Sequence, residues 1–235
     1  MELAKLAGFE NISIDLMYGL PGQSLDLLKE SVKIAMGLGV QHISIYGLQI
    51  EDGTPFAQAL AAGKLDLPAE DETEAMYDYL TTALPANGFQ RYEISNFAKL
   101  GYQSRHNLGY WQDKDYIGFG AAAHSYAGGK RLANIARIED YIEAVTKGKG
   151  YSVAEDDAPR TKDIAIGEFA MLALRTAEGI NLLPFQEKFG VTFHALFNDV
   201  VDLRKKQGLL EETNTHLRLT KLGMKYGNMV FADFL

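Results

Sequence analysis

Residues 11–94 alternate between short β-branched runs and longer amphipathic stretches, and this rhythm restricts the fold more than any other feature of the chain. The run Asn11-Ile12-Ser13-Ile14-Asp15-Leu16-Met17 reads as a strand that ends in the turn Tyr18-Gly19-Leu20-Pro21-Gly22. Ser24 is the predicted N-cap of a helix in which Leu25, Leu28, Val32 and Ala35 share one face, with Gly37 and Gly39 ending it. Residues 42–50 are strand-like again. After the turn Gly53-Thr54-Pro55, the carboxylates Glu70, Asp71, Glu72 and Glu74 open a second helix at its positive dipole end. Asn87-Gly88 stops that helix, and residues 90–94 read as a third strand. Strand and helix in strict alternation predict parallel βα units. Three strands are too few to close an eight-stranded barrel, and the helix-like stretch over residues 2–7 implies entry into a larger fold partway.

Residues 96–136 show little amphipathic period and are predicted to be loop-rich, before a helix over 138–145. Residues 148–159 are polar and contain Gly, Asp and Pro, so the expected domain boundary falls there, between residues 1–150 and 151–235. Beyond it the periodicity predicts helices over 163–176, 183–189 and 193–206, the last capped by Thr192. Two short strands at 208–212 and 216–219 turn at Asn214, and Thr220 caps a final helix. That order is winged-helix-like. The expected class is α/β: the C-terminal part of an incomplete TIM-like barrel followed by a small winged-helix-like α+β domain.

Composition narrows the function. The formal net charge of −8 is carried by residues 1–160, while residues 161–235 hold equal numbers of acidic and basic side chains. Affinity for nucleic acid comes from neutralising phosphates with Lys and Arg, so no nucleic-acid partner is expected. No run approaches the roughly 18–20 apolar residues of a membrane span, and Met1-Glu2-Leu3-Ala4-Lys5 begins no signal peptide, so a cytoplasmic location is expected and no peripheral membrane contact is indicated. The chain has no cysteine. Disulfides, a thiolate nucleophile, zinc ribbons and a Cys-ligated iron–sulfur cluster are therefore excluded within these residues.

Three segments concentrate chemistry. Asp15 is ionisable in an otherwise apolar strand just before a glycine-rich turn, where α/β folds collect ligands. Its carboxylate suits either a ribose diol or the backbone amides of its own loop. The turn Gly19-Leu20-Pro21-Gly22-Gln23 lacks the spacing and the Lys-Ser/Thr ending of a phosphate loop and reads as a tight turn before a helix. The stretch Arg91 to Trp111 crowds aromatic, polar and cationic groups together. There His106 suits a metal such as haem iron, Tyr110 and Trp111 suit stacking on a flat macrocycle, and Arg105 suits a carboxylate; equally, His106 and Asn107 would serve as loop hydrogen-bonders. The small-residue run Gly118-Phe119-Gly120-Ala121-Ala122-Ala123-His124-Ser125-Tyr126 permits close backbone approach to a ligand or tight packing. His42, His194 and His216 carry no partner motif and read as structural.

Taken together, Asp15-Leu16-Met17-Tyr18-Gly19-Leu20-Pro21-Gly22-Gln23, Tyr92-Glu93-Ile94-Ser95-Asn96-Phe97-Ala98 running into Ser104-Arg105-His106-Asn107, and Gly118-Phe119-Gly120 with Ala123-His124-Ser125 resemble the coproporphyrinogen-oxidase-like (HemW/HemN) branch of radical-SAM proteins. The resemblance extends through the winged-helix-like tail. It departs at Ala121-Ala122-Ala123, where relatives commonly carry proline and glycine. It implies a (β/α)6 radical-SAM barrel of which this chain supplies the last part. The cysteines for a [4Fe–4S] cluster and the glycine-rich segment for S-adenosylmethionine would belong to an upstream part. Asp15 then matches the ribose-binding aspartate for S-adenosylmethionine, and Gln49 the position of a backbone contact to its adenosyl part. His106-Asn107-Leu108-Gly109-Tyr110-Trp111 matches a His-Asn-x-x-Tyr-Trp motif of haem-handling members, which implies haem contact at Arg105, His106, Tyr110 and Trp111. The implied function is that of a haem chaperone binding haem or porphyrin and passing haem to acceptor proteins. The alternatives are an oxygen-independent coproporphyrinogen III oxidase and, remotely, a winged-helix DNA binder using residues 193–206.

Overall fold

The computed structural model describes residues 1–150, 152–154 and 160–235, with side chains at 152–154 left aside. They form two compact units, Met1–Gln103 and Ser104–Leu235.

The first unit runs α1 (Glu2–Leu6), β1 (Ser13–Tyr18), α2 (Leu25–Gly37), β2 (His42–Gly47), α3 (Pro55–Ala61), α4 (Glu70–Ala86), β3 (Gln90–Arg91) and β4 (Asn96–Ala98). The predicted cap is in place: Leu27 N–H donates to Ser24 Oγ at 3.3 Å, and α2 buries Leu28, Val32 and Ala35 on the face their spacing defines. Helices α2 and α4 pack on one side of the sheet, where Val32, Val40, Ile43, Met76, Leu80, Leu84 and Phe97 make a core with every member 0 % exposed. Strands β1 and β2 are parallel, with Asp15 opposite Ser44.

The expected run of parallel strands stops there. Sheet order is β1-β2-β4-β3, and β4 lies antiparallel to both β2 and β3. Only Tyr92 to Ser95 separate β3 from β4, far too short for the crossover that parallel neighbours need. The turn is held from inside. Tyr92 N–H donates to Asn96 C=O at 3.2 Å, Ser95 N–H to Glu93 Oε1 at 3.0 Å, and Arg91 Nε to Glu93 C=O at 3.2 Å.

The second unit comprises α5 (Arg105–Trp111), β5 (His124–Ala127), β6 (Lys130–Asn134), α6 (Ile138–Thr146), β7 (Ser152–Ala154), α7 (Lys162–Ala173), β8 (Ile180–Asn181), α8 (Leu182–Phe189), α9 (Phe193–Lys206), β9 (Leu210–Glu212), β10 (His216–Leu219), α10 (Lys221–Lys225) and α11 (Gly227–Phe231). The stretch predicted to be loop-rich thus holds β4, α5, β5 and β6. Its missed signal is Gly128-Gly129, two glycines at φ 59° and 75° joining Ala127 to Lys130, the two-residue turn that suits an antiparallel hairpin. A second sheet of order β8-β10-β9 and the helices α7 to α9 build the winged-helix-like part. Its core is aromatic, with Phe185 and Phe189 at 4.9 Å between ring centroids and Phe185 and Phe193 at 5.1 Å.

The domain boundary expected within residues 148–159 falls partly on residues 151 and 155–159, outside the described residues. The compact units of the described residues divide at Gln103/Ser104. Ion pairs explain the grouping, because Arg131 pairs with Glu168 at 2.8 Å and Arg160 with the same Glu168 at 2.6 Å, joining the β5–β6 hairpin to α7.

Candidate functional site

The face of the first unit's sheet opposite its helices is polar. Ser13, Asp15 and Met17 alternate outward from β1, and the register sets them beside His42, Ser44 and Tyr46. Asp15 is exposed in mid-strand, so its carboxylate stands on this open face. Gln49 is exposed in the segment leaving β2, where Leu48 N–H donates to Tyr18 C=O at 2.9 Å. The glycine-rich turn after β1 closes on itself: Leu20 N–H donates to Gln23 Oε1 at 3.2 Å and Gln23 Nε2 to Met17 C=O at 3.2 Å. A tight turn before a helix is what these residues build.

His42, read as structural, proves to centre a polar chain on the same face. Its Nδ1 lies 2.7 Å from Ser13 Oγ and its Nε2 2.8 Å from the Tyr92 hydroxyl, fifty residues away in sequence. At 6 % exposure, burial lowers its pKa, against the opposing pull of the Asp15 charge. The fold therefore disfavours the protonated imidazole of His42, whereas the unfolded chain protonates it near 6.5. Below that pH the unfolded state binds a proton that the folded state refuses, so stability falls as pH drops toward the depressed folded value. Glu93, 1 % exposed, has its pKa raised by burial and acts with opposite sign, gaining stability as pH falls through its raised pKa. The His42 contribution is accordingly read as a difference: urea midpoints measured from pH 7.5 to 5 are expected to fall more steeply for the natural protein than for His42→Gln. Parallel curves would remove His42 from the account.

In the second unit, Ser104 caps α5 by accepting from Asn107 N–H at 3.2 Å. His106 and Tyr110 are four residues apart and meet on one helix face, with His106 Nε2 2.9 Å from the Tyr110 hydroxyl and the rings edge to face at 4.7 Å. Tyr116 packs edge-on against Tyr110 at 4.6 Å, and Tyr126 lies 6.4 Å beyond. Tyr110, Tyr116 and Tyr126, with Asp113, Lys114, Arg131 and Leu172, line a cleft of about 160 Å³. Beneath it Asp113, its side chain 7 % exposed, pairs with Lys188 at 2.9 Å and Arg160 at 3.5 Å.

The four residues expected to touch haem divide. His106 stands beside the cleft through Tyr110, and Arg105 is exposed at the first position of α5, outside the cleft lining. Trp111 turns to another face: the Arg175 guanidinium lies over its ring at 5.3 Å and over Phe231 at 4.8 Å. Its Nε1 is buried without a hydrogen-bond partner among the described residues. Tyr116, Asp113, Lys114 and Arg131 escaped the sequence reading, since the Gly128-Gly129 hairpin that brings Arg131 in was itself missed. Among the described residues no group of His, Asp and Glu is arranged to hold a metal ion by itself, and no helix is long and apolar enough to cross a membrane.

In α9, the helix a DNA-binding reading would use, two of the three last-turn cations are paired. Arg204 is bound to Asp233 at 2.6 and 2.8 Å, and Lys205 to Glu212 at 2.7 Å. That works against phosphate neutralisation by this helix.

Residues 161–226 match the HemN C-terminal domain family. The whole chain is 39% identical, over 234 residues, to 61% of the heme chaperone HemW of Bacillus subtilis. It is 36% identical over 235 residues to 61% of HemW of Lactococcus lactis. The structure of coproporphyrinogen III oxidase (HemN) from Escherichia coli, a radical SAM enzyme, superposes on all of this chain with a TM-score of 0.76 at 20% identity, over 57% of its own length. The chain thus spans about 61% of the length of these two curated relatives.

Proposed function

This chain belongs to the HemW/HemN family of radical-SAM-type proteins, and from that premise we propose that it is part of a HemW-like haem chaperone of the cytoplasm, which binds haem on α5 and passes it to acceptor proteins. The observation that carries the reading is the His106–Tyr110 pair at the rim of the tyrosine-lined cleft. A neutral imidazole is a natural axial ligand for haem iron, and its orientation is set by what its nitrogens bond. Because Tyr110 holds Nε2, ligation through that nitrogen requires the hydroxyl to give way.

On titrating the full-length protein with haem, His106→Ala is expected to lower affinity at least tenfold and shift the Soret band. Tyr110→Phe, which releases Nε2, is expected to keep the band and bind haem at least as tightly. An unchanged spectrum and affinity in His106→Ala would end the ligand assignment.

Asp15 suits the ribose diol of S-adenosylmethionine, since its carboxylate is exposed on the open polar sheet face and accepts from two hydroxyls at once. Gln49 leaves β2 as a neighbour for the adenosyl part. With no cysteine in the chain, these residues do not fit a [4Fe–4S] cluster, and no step here runs through one. The fold shared with HemN favours a second reading, oxygen-independent oxidation of coproporphyrinogen III. Turnover of porphyrinogen by the full-length protein would replace the chaperone reading with that one.

A further inference from the structure

We propose that the cleft between α5 and the β5–β6 hairpin is a carboxylate subsite, in which Arg131 and Lys114 take one propionate arm of the tetrapyrrole whose ring lies against His106 and Tyr110. The inference rests on the haem-binding reading and specifies how the ligand is held.

Size excludes the ring. At about 160 Å³ the cleft is well below the roughly 300–1,000 Å³ of a site that encloses a drug-sized ligand, yet it has room for a short acidic side arm. Tyr110 belongs both to the cleft wall and to the pair with His106, so a ring seated at His106 lies one side chain from the opening.

Charge selects an anion. Four cations, Lys114, Arg131, Arg160 and Lys188, stand in or below the cleft against two carboxylates, Asp113 and Glu168. Each carboxylate is already shared. Asp113 serves Lys188 and Arg160, while Glu168 serves Arg160 and Arg131. Arg160 lies within this network, ion-paired with both carboxylates and donating to the Tyr126 hydroxyl. Arg131 ends the relay: it meets Glu168 through Nη1 at 2.8 Å and its side chain is still 42% exposed. A guanidinium carries five donors in a plane and pairs with a carboxylate edge to edge, so Arg131 retains donors for a second acid. Lys114 is exposed at the same cleft. Asp113 sits at φ 55°, a left-handed conformation uncommon outside glycine, which brings its carboxylate under the cleft just past α5.

The test compares haem with haem dimethyl ester, whose arms are neutral, in Soret titrations of the full-length protein. The natural protein is expected to bind haem at least tenfold more tightly than the ester, as charge-assisted hydrogen bonds warrant. Arg131→Gln/Lys114→Gln is expected to reduce haem to the affinity of the ester, leaving ester affinity and Soret position unchanged. Lys114→Gln alone, a surface change that spares the Glu168 pair, is expected to lose part of the preference. Equal affinity for haem and ester in the natural protein, or an unaltered preference in both variants, would overturn the subsite while leaving haem binding intact. Absence of a Soret complex with either ligand would instead overturn the haem reading beneath it.

Discussion

Asp113→Ala is expected to destabilise the second unit by about 3 kcal/mol, seen as a lower urea midpoint with unchanged slope. The Asp113 carboxylate is 7% exposed and pairs with Arg160, itself 17% exposed. Removing one member of a buried pair leaves the other charge uncompensated, at roughly 3–5 kcal/mol. The lower end applies here for two reasons. Lys188 is 45% exposed and turns to water at little cost, and Arg160 keeps Glu168 at 2.6 Å. Alanine at φ 55° adds backbone strain that aspartate and asparagine tolerate better. Asp113→Asn is therefore expected to lose less, and the gap between the two variants measures the conformational share. An Asp113→Ala protein as stable as the natural one would show that the network beneath the cleft contributes nothing to holding the unit together.

A larger loss is expected for Gly179→Ala. A Cβ on Gly179 would lie 2.2 Å from the Leu217 carbonyl oxygen and 2.7 Å from Arg218 Cα, both in the backbone of β10, and φ there is +75°. Because Ile180 pairs with Leu217 in the β8–β10 ladder, relief requires the wing strand to move off its partner. Overpacking and left-handed strain each cost about 1–3 kcal/mol, so about 3–5 kcal/mol is expected together. Gly190→Ala is the control. It shares the positive φ, at +70°, but would meet nothing within 4 Å, so it should cost only about 1 kcal/mol. Thermal midpoints compare the two directly, and equal losses would discard the steric argument.

Both variants act on contacts that neighbouring residues do not announce, and the same is true of the candidate sites. His42 in β2 and Tyr92 in the turn after β3 meet, and nothing at either position marks the other as its partner. The antiparallel β4 lies in a stretch that reads as loop, because residues 90–94 look like one strand, whereas the buried Glu93 turn follows Arg91 and sends the chain back between β2 and β3. Arg105 and Trp111 belong to the same motif as His106 and Tyr110, but helix geometry sends Arg105 and Trp111 elsewhere, and Trp111 ends beneath Arg175.

What the sequence determined by itself is what a few adjacent residues can decide. The hydroxyls of Ser24, Thr192 and Thr220 each accept from a backbone N–H three residues on, so these helix starts are local events. The face of α2 follows from the 3.6-residue period, the wing follows from alternation around its turn, and the family is written in three motifs. Tertiary structure alone decided strand direction in the first sheet, the division at Gln103/Ser104, and a cleft assembled from α5, a hairpin and α7. The physical reason is that a local hydrogen bond is specified by its own few residues, whereas a buried ion pair or an aromatic wall depends on which distant segments the packing of the core brings together.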